Sequence, residues 1–449
     1  MKHAQYQKIG FIDYIKEDSK FWLGIILIFS VAQLIYVLRF SVDVPWWDQF
    51  CHVSLLKNLT LHNIFSLHNE HRIIVPRIFF ILLSKITHWN VRVETFFNWF
   101  FLQCSAILLY AILKKNVNKE YTWVVAILTC FFLTPQYFDD LLWGFQNCLQ
   151  INLLGIMASV FILSSMKKSW LRIHLAVLSC IIATFSWFSG LLIWVSLLPL
   201  VFLVNDEVKS IVYDQRETTK IIYWVIVTAM VMIVYFRNYH IQMSYHPPIA
   251  YPWIYYRQFF LYFFTFLGSS WLADGGNVLG KFVYAHTFLG IWLCLVFILG
   301  CVFNLFNIRR NIPKLCLLVF ILLTAAAVSF GRANFPLAQS LEARYRIYSV
   351  LLPILMIDML ISGTGIKTKL GKTMFFILIS GVFIGIFLGW QEGIRKGKSW
   401  NFQQRINRIS LISYETATDD ELKMLFPIKV GIKARASILK ELKYSVFRK

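Results

Sequence analysis

Charge is scarce in this chain. Only 15% of its 449 residues are Asp, Glu, Lys or Arg, against about 25% in ordinary soluble domains. Acidic residues are the scarcer sign, 23 against 44 basic, which leaves a net charge of +21. No CxxC pair occurs among the eight Cys, and there is no internal repeat or low-complexity tract. These absences exclude a zinc ribbon, a solenoid and a long disordered linker. No small-residue cleavage pattern follows the first apolar run, which continues as Arg39-Phe40-Ser41-Val42-Asp43; that run is therefore not read as a removable leader. Six Cys lie within apolar runs, where Cys acts as a small hydrophobe. Cys51 and Cys148 lie near predicted loops, where a disulfide is compatible with the sequence but not required by it.

What is abundant is apolar. Hydrophobic residues make up 58% of the chain, and the mean hydropathy is +0.61. The 41 Phe suit lipid-facing and bundle surfaces, and the 20 Tyr and 16 Trp suit the two bilayer interfaces. A bilayer core of about 30 Å takes roughly 20 apolar helical residues. Runs of that kind predict eleven crossings, at 22–38, 95–113, 121–138, 147–166, 173–188, 191–204, 221–236, 282–306, 315–330, 347–361 and 373–390. The expected fold is therefore an all-α polytopic integral membrane protein. A segment at 253–280 is read as an interfacial helix or re-entrant hairpin, broken at Asp274-Gly275-Gly276. Residues 1–21 form the expected cytoplasmic N-terminal segment, 22–390 the membrane domain with a first outer loop at 39–94, and 391–449 a polar basic tail, expected outside the cytoplasm, with an amphipathic helix near 434–446.

Orientation follows from basic residues in short loops. Lys2, Lys8, Lys16 and Lys20 precede the first crossing, and Lys114, Lys115 and Lys119 follow the second. Lys167, Lys168 and Arg172 come after the fourth, and later loops alternate in the same way. The alternation places the N-terminus in the cytoplasm. It also explains the basic balance, since anionic lipid headgroups attract such loops; nucleic acid is not an expected partner.

Chemistry-bearing residues concentrate in the loops assigned to the outer face. The first loop holds Asp43 and Asp48 around Pro45-Trp46-Trp47, and a carboxylate against aromatic surface at a membrane edge is a candidate base. It continues through His68-Asn69-Glu70-His71-Arg72 to Arg77, where guanidinium groups suited to phosphate stand beside two imidazoles. A short turn carries Asp139, Asp140 and Gln146, able to join the carboxylates around a sugar or metal. The last loop places Arg332, Arg344 and Arg346 where positive charge is disfavoured, and a phosphate or pyrophosphate is their natural partner. Asp358 lies within a crossing, toward the opposite end.

Together these pieces resemble bacterial membrane glycosyltransferases of the GT-C kind. The resemblance rests on Asp43 and Asp48, on Asn69-Glu70-His71-Arg72, on Trp143-Gly144-Phe145-Gln146, and on Gly331-Arg332 with Arg344-Tyr345. The tail, with Asp420-Glu421-Leu422 and Leu425-Phe426-Pro427, looks like the endings of such proteins, and the overall style looks like enzymes that modify O-antigen and other surface polysaccharides. What the resemblance implies is transfer of a sugar from a polyprenyl phosphate to a glycan or lipid acceptor, at the extracytoplasmic face of the bacterial inner membrane. Carried over, Asp48 is the base and Asp43 a supporting carboxylate. Arg72, Arg332, Arg344 and His71 hold the donor phosphate, and Glu70, Asp139, Asp140, Gln146 and Tyr345 contact substrate. Some such enzymes also bind a divalent metal. The family often sets its two acidic residues closer together than Asp43 and Asp48. A polysaccharide polymerase or ligase is a competing expectation, weakened by the short 331–346 loop. A transporter or flippase of lipid-linked sugars is another, weakened by the lack of matching halves.

Overall fold

In a bilayer every backbone polar group must be satisfied within its own segment, so long apolar runs fold as helices. The computed structural model describes residues 20–167, 169–202, 215–239, 251, 253–271, 279–426 and 431–448. Among the described residues nine helical segments are long and apolar enough to cross a membrane: Lys20–Phe40, Val91–Lys114, Lys119–Leu142, Gly144–Ser165, Thr218–Phe236, Phe282–Val302, Ile308–Arg332, Ala343–Ser362 and Lys369–Ile412. The chain is an all-α polytopic membrane protein. Its one β-type pairing among the described residues is an isolated bridge between His68 and His71.

The nine helices correspond to nine of the eleven expected crossings. The other two are shorter. Trp170–Thr184 has 15 residues and spans about 22 Å, less than a full bilayer core. After it the chain turns through 185–189 into Gly190–Ser196 and Leu198–Phe202. The turn is tight enough that a Cβ on Gly190 would run into the Ala183 backbone, and Thr184 Oγ1 donates to the Gly190 carbonyl at 3.1 Å. The segment at 253–280 shows a 13-residue helix, Tyr256–Gly268, pressed against Leu279–Val302 with Gly268 and Gly290 at the contact. The break expected at Asp274-Gly275-Gly276 falls outside the described residues, as does residues 1–19 of the N-terminal segment.

Helix Lys369–Ile412 does more than cross. Its 44 residues extend about 66 Å, so it runs on without a break past Trp390 and carries the tail away from the bundle. Gly381, Gly385, Gly389, Gly393 and Gly397 recur every fourth residue along it, a small-residue stripe that lets backbones approach. Phe131 packs at Gly385, Thr134 and Gln136 at Gly389, Pro135 at Gly393, and Tyr36 and Phe40 at Gly397. The stripe thereby seats the 133–137 turn, and Tyr36 donates its hydroxyl to the Gly393 carbonyl at 2.9 Å.

Beyond the bundle the first loop and the tail build a second core. Val44, Phe50, Val53, Phe80, Trp89 and Val91 from the loop side pack with Leu411, Leu422, Leu425, Phe426, Ile432 and Leu439 from the tail. The tail helix is Ile432–Leu442. The two regions, read from the sequence as separate outer segments, form one cap at one end of the bundle. A small aromatic cluster of Trp143, Phe145 and Ile73, with Trp46, Trp187 and Trp400 against it, joins cap to bundle.

Candidate functional site

The cap fixes the first loop by backbone contacts. The Trp47 N–H donates to the Leu425 carbonyl at 2.7 Å, and the Trp46 indole N–H to the Met424 carbonyl at 3.0 Å. Trp47 adopts φ +47°, a region costly for a bulky residue, so the tail contacts hold a strained turn just before Asp48. Asp43 ties the loop to its neighbours: one oxygen accepts from the Val91 N–H at 2.9 Å and the other pairs with Arg448. Burial pushes its carboxyl up in spite of these partners.

Further on, the His68 and His71 backbones exchange two hydrogen bonds, at 2.8 and 2.9 Å. Asn69 takes the left-handed conformation, φ +51°, which Asn tolerates. The resulting turn presents Glu70 and His71 to the bundle. Tyr235 and Tyr239 donate their hydroxyls to the Glu70 carbonyl at 3.4 and 3.1 Å, and the His71 ring stacks on Trp187 with centroids 3.7 Å apart.

Here the bundle opens into a cavity of about 330 Å³. Its lining mixes apolar side chains, Leu192, Ala327, Val328, Phe330 and Phe236, with Glu70, His71, Arg332 and Arg344 and with Tyr239, Tyr345 and Tyr348. Arg332, the last residue of helix Ile312–Arg332, pairs directly with Glu70 and lies over the Phe335 ring at 5.3 Å. Arg344 pairs with Glu342, lies over Tyr345 at 5.3 Å, and has an Nε without a hydrogen-bond partner among the described residues.

Electrostatics at the cavity wall follow from burial and from these neighbours. Burial alone would push the Glu70 carboxyl up, but His71 and Arg332 outweigh it and bring it down to about 2. Burial pushes His71 down; Glu70 pulls it back, while His68, Arg332 and Arg344 push it further, and it ends at about 4. At neutral pH Glu70 is therefore ionised and His71 neutral, with Arg332 the lasting counter-charge. The Phe188 N–H donates to His71 Nδ1 at 3.3 Å, so the ring proton sits on Nε2, which lies 3.5 Å from Glu70.

Of the residues singled out from sequence, Arg332, Arg344, His71, Glu70 and Tyr345 line this one cavity. Arg72 does not: its guanidinium donates to the carbonyls of Phe65 at 2.6 Å, of Tyr235 and of Arg237, a brace between loop and helix. Asp48 lies outside the lining, partly exposed, with one oxygen 3.6 Å from His68 Nε2. Asp43 stays with Arg448 in the cap. Asp139 and Asp140 sit on the short helix Phe138–Leu142, outside the cavity lining and within electrostatic range of Arg344 and Arg346. Asp140 is fully buried, and neither of its carboxylate oxygens has a hydrogen-bond partner among the described residues. Gln146 is buried beside Asn147, away from the cavity.

Trp187, Phe188, Ser189, Tyr239 and Tyr348 belong to the wall and were not anticipated. The nearest signal for three of them was Ser189-Gly190, between the apolar runs 173–188 and 191–204. Tyr239 and Tyr348 carry no local signal. Cys51 and Cys148 are both free. Among the described residues no three His, Cys, Asp or Glu side chains converge to hold a metal ion. No protein-family model matches the chain, and no curated protein matches it.

Proposed function

We propose that the protein transfers a sugar from a polyprenyl-phosphate carrier to a glycan or lipid acceptor, at the end of the bundle that bears the cap. The observation that carries this reading is the mixed lining of one cavity, which brings Arg332 and Arg344 together with Leu192, Ala327, Val328 and Phe330. A prenyl phosphate is mixed in the same way, an apolar chain ending in an anion. Arginine binds phosphate oxygens bidentately, and cations placed beforehand stabilise the charge that grows on the departing phosphate.

The carboxylate in the cavity is Glu70, so the role of base passes to it from Asp48. Asp48 and Trp47 are partly exposed on the same loop, suited to holding acceptor hydroxyls. The alternating basic loops support a cytoplasmic N-terminus, and hence an outward-facing site in a bacterial inner membrane. The test is sugar transfer by purified protein in nanodiscs, with polyprenyl-phosphate hexoses as donors and cell-envelope glycans as acceptors. Transfer that is lost on Arg344→Ala, with the fold intact, supports the reading. Donor-independent activity, or wild-type transfer by Arg344→Ala, contradicts it.

A further inference from the structure

We propose that in the empty protein the Glu70 carboxylate occupies the place of the donor phosphate on Arg332, and that the donor takes Arg332 from Glu70 and so frees the base. The inference rests on the reading above and adds the order of events at the site.

Glu70 and Arg332 are brought together from 262 residues apart in the chain. Their side chains keep 27% and 16% exposure on the cavity wall, so the pair is open to an incoming anion. Arg332 has five N–H donors and packs against one ring, Phe335. It can pivot from the carboxylate to a phosphate placed between itself and Arg344. Arg72 lacks this freedom, since three backbone carbonyls hold its guanidinium.

The loop is arranged to survive the exchange. Tyr235 and Tyr239 hold the backbone carbonyl of Glu70, and the His68–His71 bridge closes the turn, so losing Arg332 releases a side chain and leaves its backbone in place. His71 Nε2, 3.5 Å away, remains as a neutral donor. The donor phosphate is a diester, singly charged like the carboxylate, but its oxygens can engage Arg332 and Arg344 together; the monoester that leaves carries more charge still. Once Arg332 has left, burial acts on Glu70 without its main counter-charge, and a buried carboxylate binds a proton more readily. The acceptor O–H then gives its proton to Glu70, and the acceptor oxygen bonds to the sugar C1. The bond from C1 to the phosphate oxygen breaks, and the phosphate leaves with the electron pair, held by Arg332 and Arg344.

Binding of a long-chain polyprenyl monophosphate to the full chain in nanodiscs tests this, with phosphatidic acid as a parallel probe. Glu70→Gln should bind the prenyl phosphate about tenfold more tightly than wild type, because Arg332 is no longer engaged, while its sugar transfer is lost. Binding that is unchanged or weaker in Glu70→Gln overturns the exchange. Tightening confined to phosphatidic acid would uphold the exchange and remove the prenyl-phosphate reading beneath it. No binding of either lipid by wild type or variant removes both. If Glu70→Gln does not fold, a structure of the wild type with prenyl phosphate bound decides: Arg332 on the phosphate supports the proposal, and an intact Arg332–Glu70 pair overturns it.

Discussion

Two ion pairs, at opposite ends of the bundle, show what separates a brace from a site. At one end Lys314 pairs with Asp358, with 2% and 0% side-chain exposure. Lys314 also donates to the Lys115 carbonyl and to Ser362 Oγ, both at 3.3 Å, and Ser362 donates to Asn311 Oδ1 at 2.9 Å. At the other end Arg332 pairs with Glu70 on the wall of a cavity. An ionisable residue inside a membrane bundle is a functional candidate by default, and by that rule Asp358 and Arg332 rank alike. The space beside the pair distinguishes them. Lys314–Asp358 is sealed among protein groups and can only hold helices together, whereas Arg332–Glu70 faces room for a third, charged group.

The comparison breaks most visibly if the sealed pair is cut. Asp358→Ala leaves Lys314 buried without its counter-charge and should cost about 3–5 kcal/mol, read as a lowered melting temperature in detergent. The double change Lys314→Met with Asp358→Leu should recover most of the loss. A mild single mutant would show that the pair is not sealed in the membrane.

Glu70→Gln should do the reverse, lowering the melting temperature less than Asp358→Ala does while transfer falls roughly 100- to 10,000-fold, the range for loss of a general base. Asp48→Asn should cost transfer clearly less than Glu70→Gln; the opposite ranking would return the role of base to Asp48. Arg344→Lys keeps the charge but loses the bidentate fork, and should lower kcat/KM by about tenfold, with Arg344→Ala lower still. Equal activities for Arg344→Lys and wild type would reduce that arginine to a headgroup anchor.

The smallest effect is on pH. His71 titrates at about 4 in the fold, below the ordinary 6.5, so the unfolded chain binds more protons between these values. The stability this contributes is complete above pH 6.5 and declines as pH falls toward about 4. Glu70, at about 2, extends the decline below its ordinary 4.5. Acid titration of the melting temperature should show a step between pH 6.5 and 4 that His71→Gln flattens. A step that survives the substitution belongs to other groups.

The helical membrane architecture was legible because hydropathy has a fixed length scale. The short helices at 170–202 were less so: apolar composition cannot tell a full crossing from two tight pieces joined at Gly190. The cap escaped sequence reading for another reason. Val44 and Leu425 share a core across almost the whole chain, and nothing local in either segment encodes that pairing. The glycine stripe of 381–397 is visible in the sequence, yet what packs on it is not.

At the site, Arg332 and Arg344 stood out because they sit where membrane topology disfavours cations, and both line the cavity. Arg72 stood out by the same logic and is instead spent on backbone carbonyls, since residue type does not reveal a guanidinium's partners. Trp187 and Tyr239 have ordinary interfacial identities and gain meaning only from the His71 and Glu70 placed against them.

The cavity lined by Arg332 and Arg344 is expected to hold a prenyl phosphate. The bundle offers a built-in control, a second cavity of about 350 Å³ between Lys20–Phe40 and Val91–Lys114, mostly apolar, with Leu23, Ile26, Ala106 and Ile107, and with Lys114 but no arginine in its lining. A polyprenyl monophosphate bearing a diazirine near its phosphate, photolysed with the protein in nanodiscs and mapped by peptide sequencing, tests the two side by side. Label is expected on the segments around 187–192 and 327–332, displaced by unmodified polyprenyl phosphate. Label confined to the apolar cavity, or label that unmodified carrier does not displace, would contradict it.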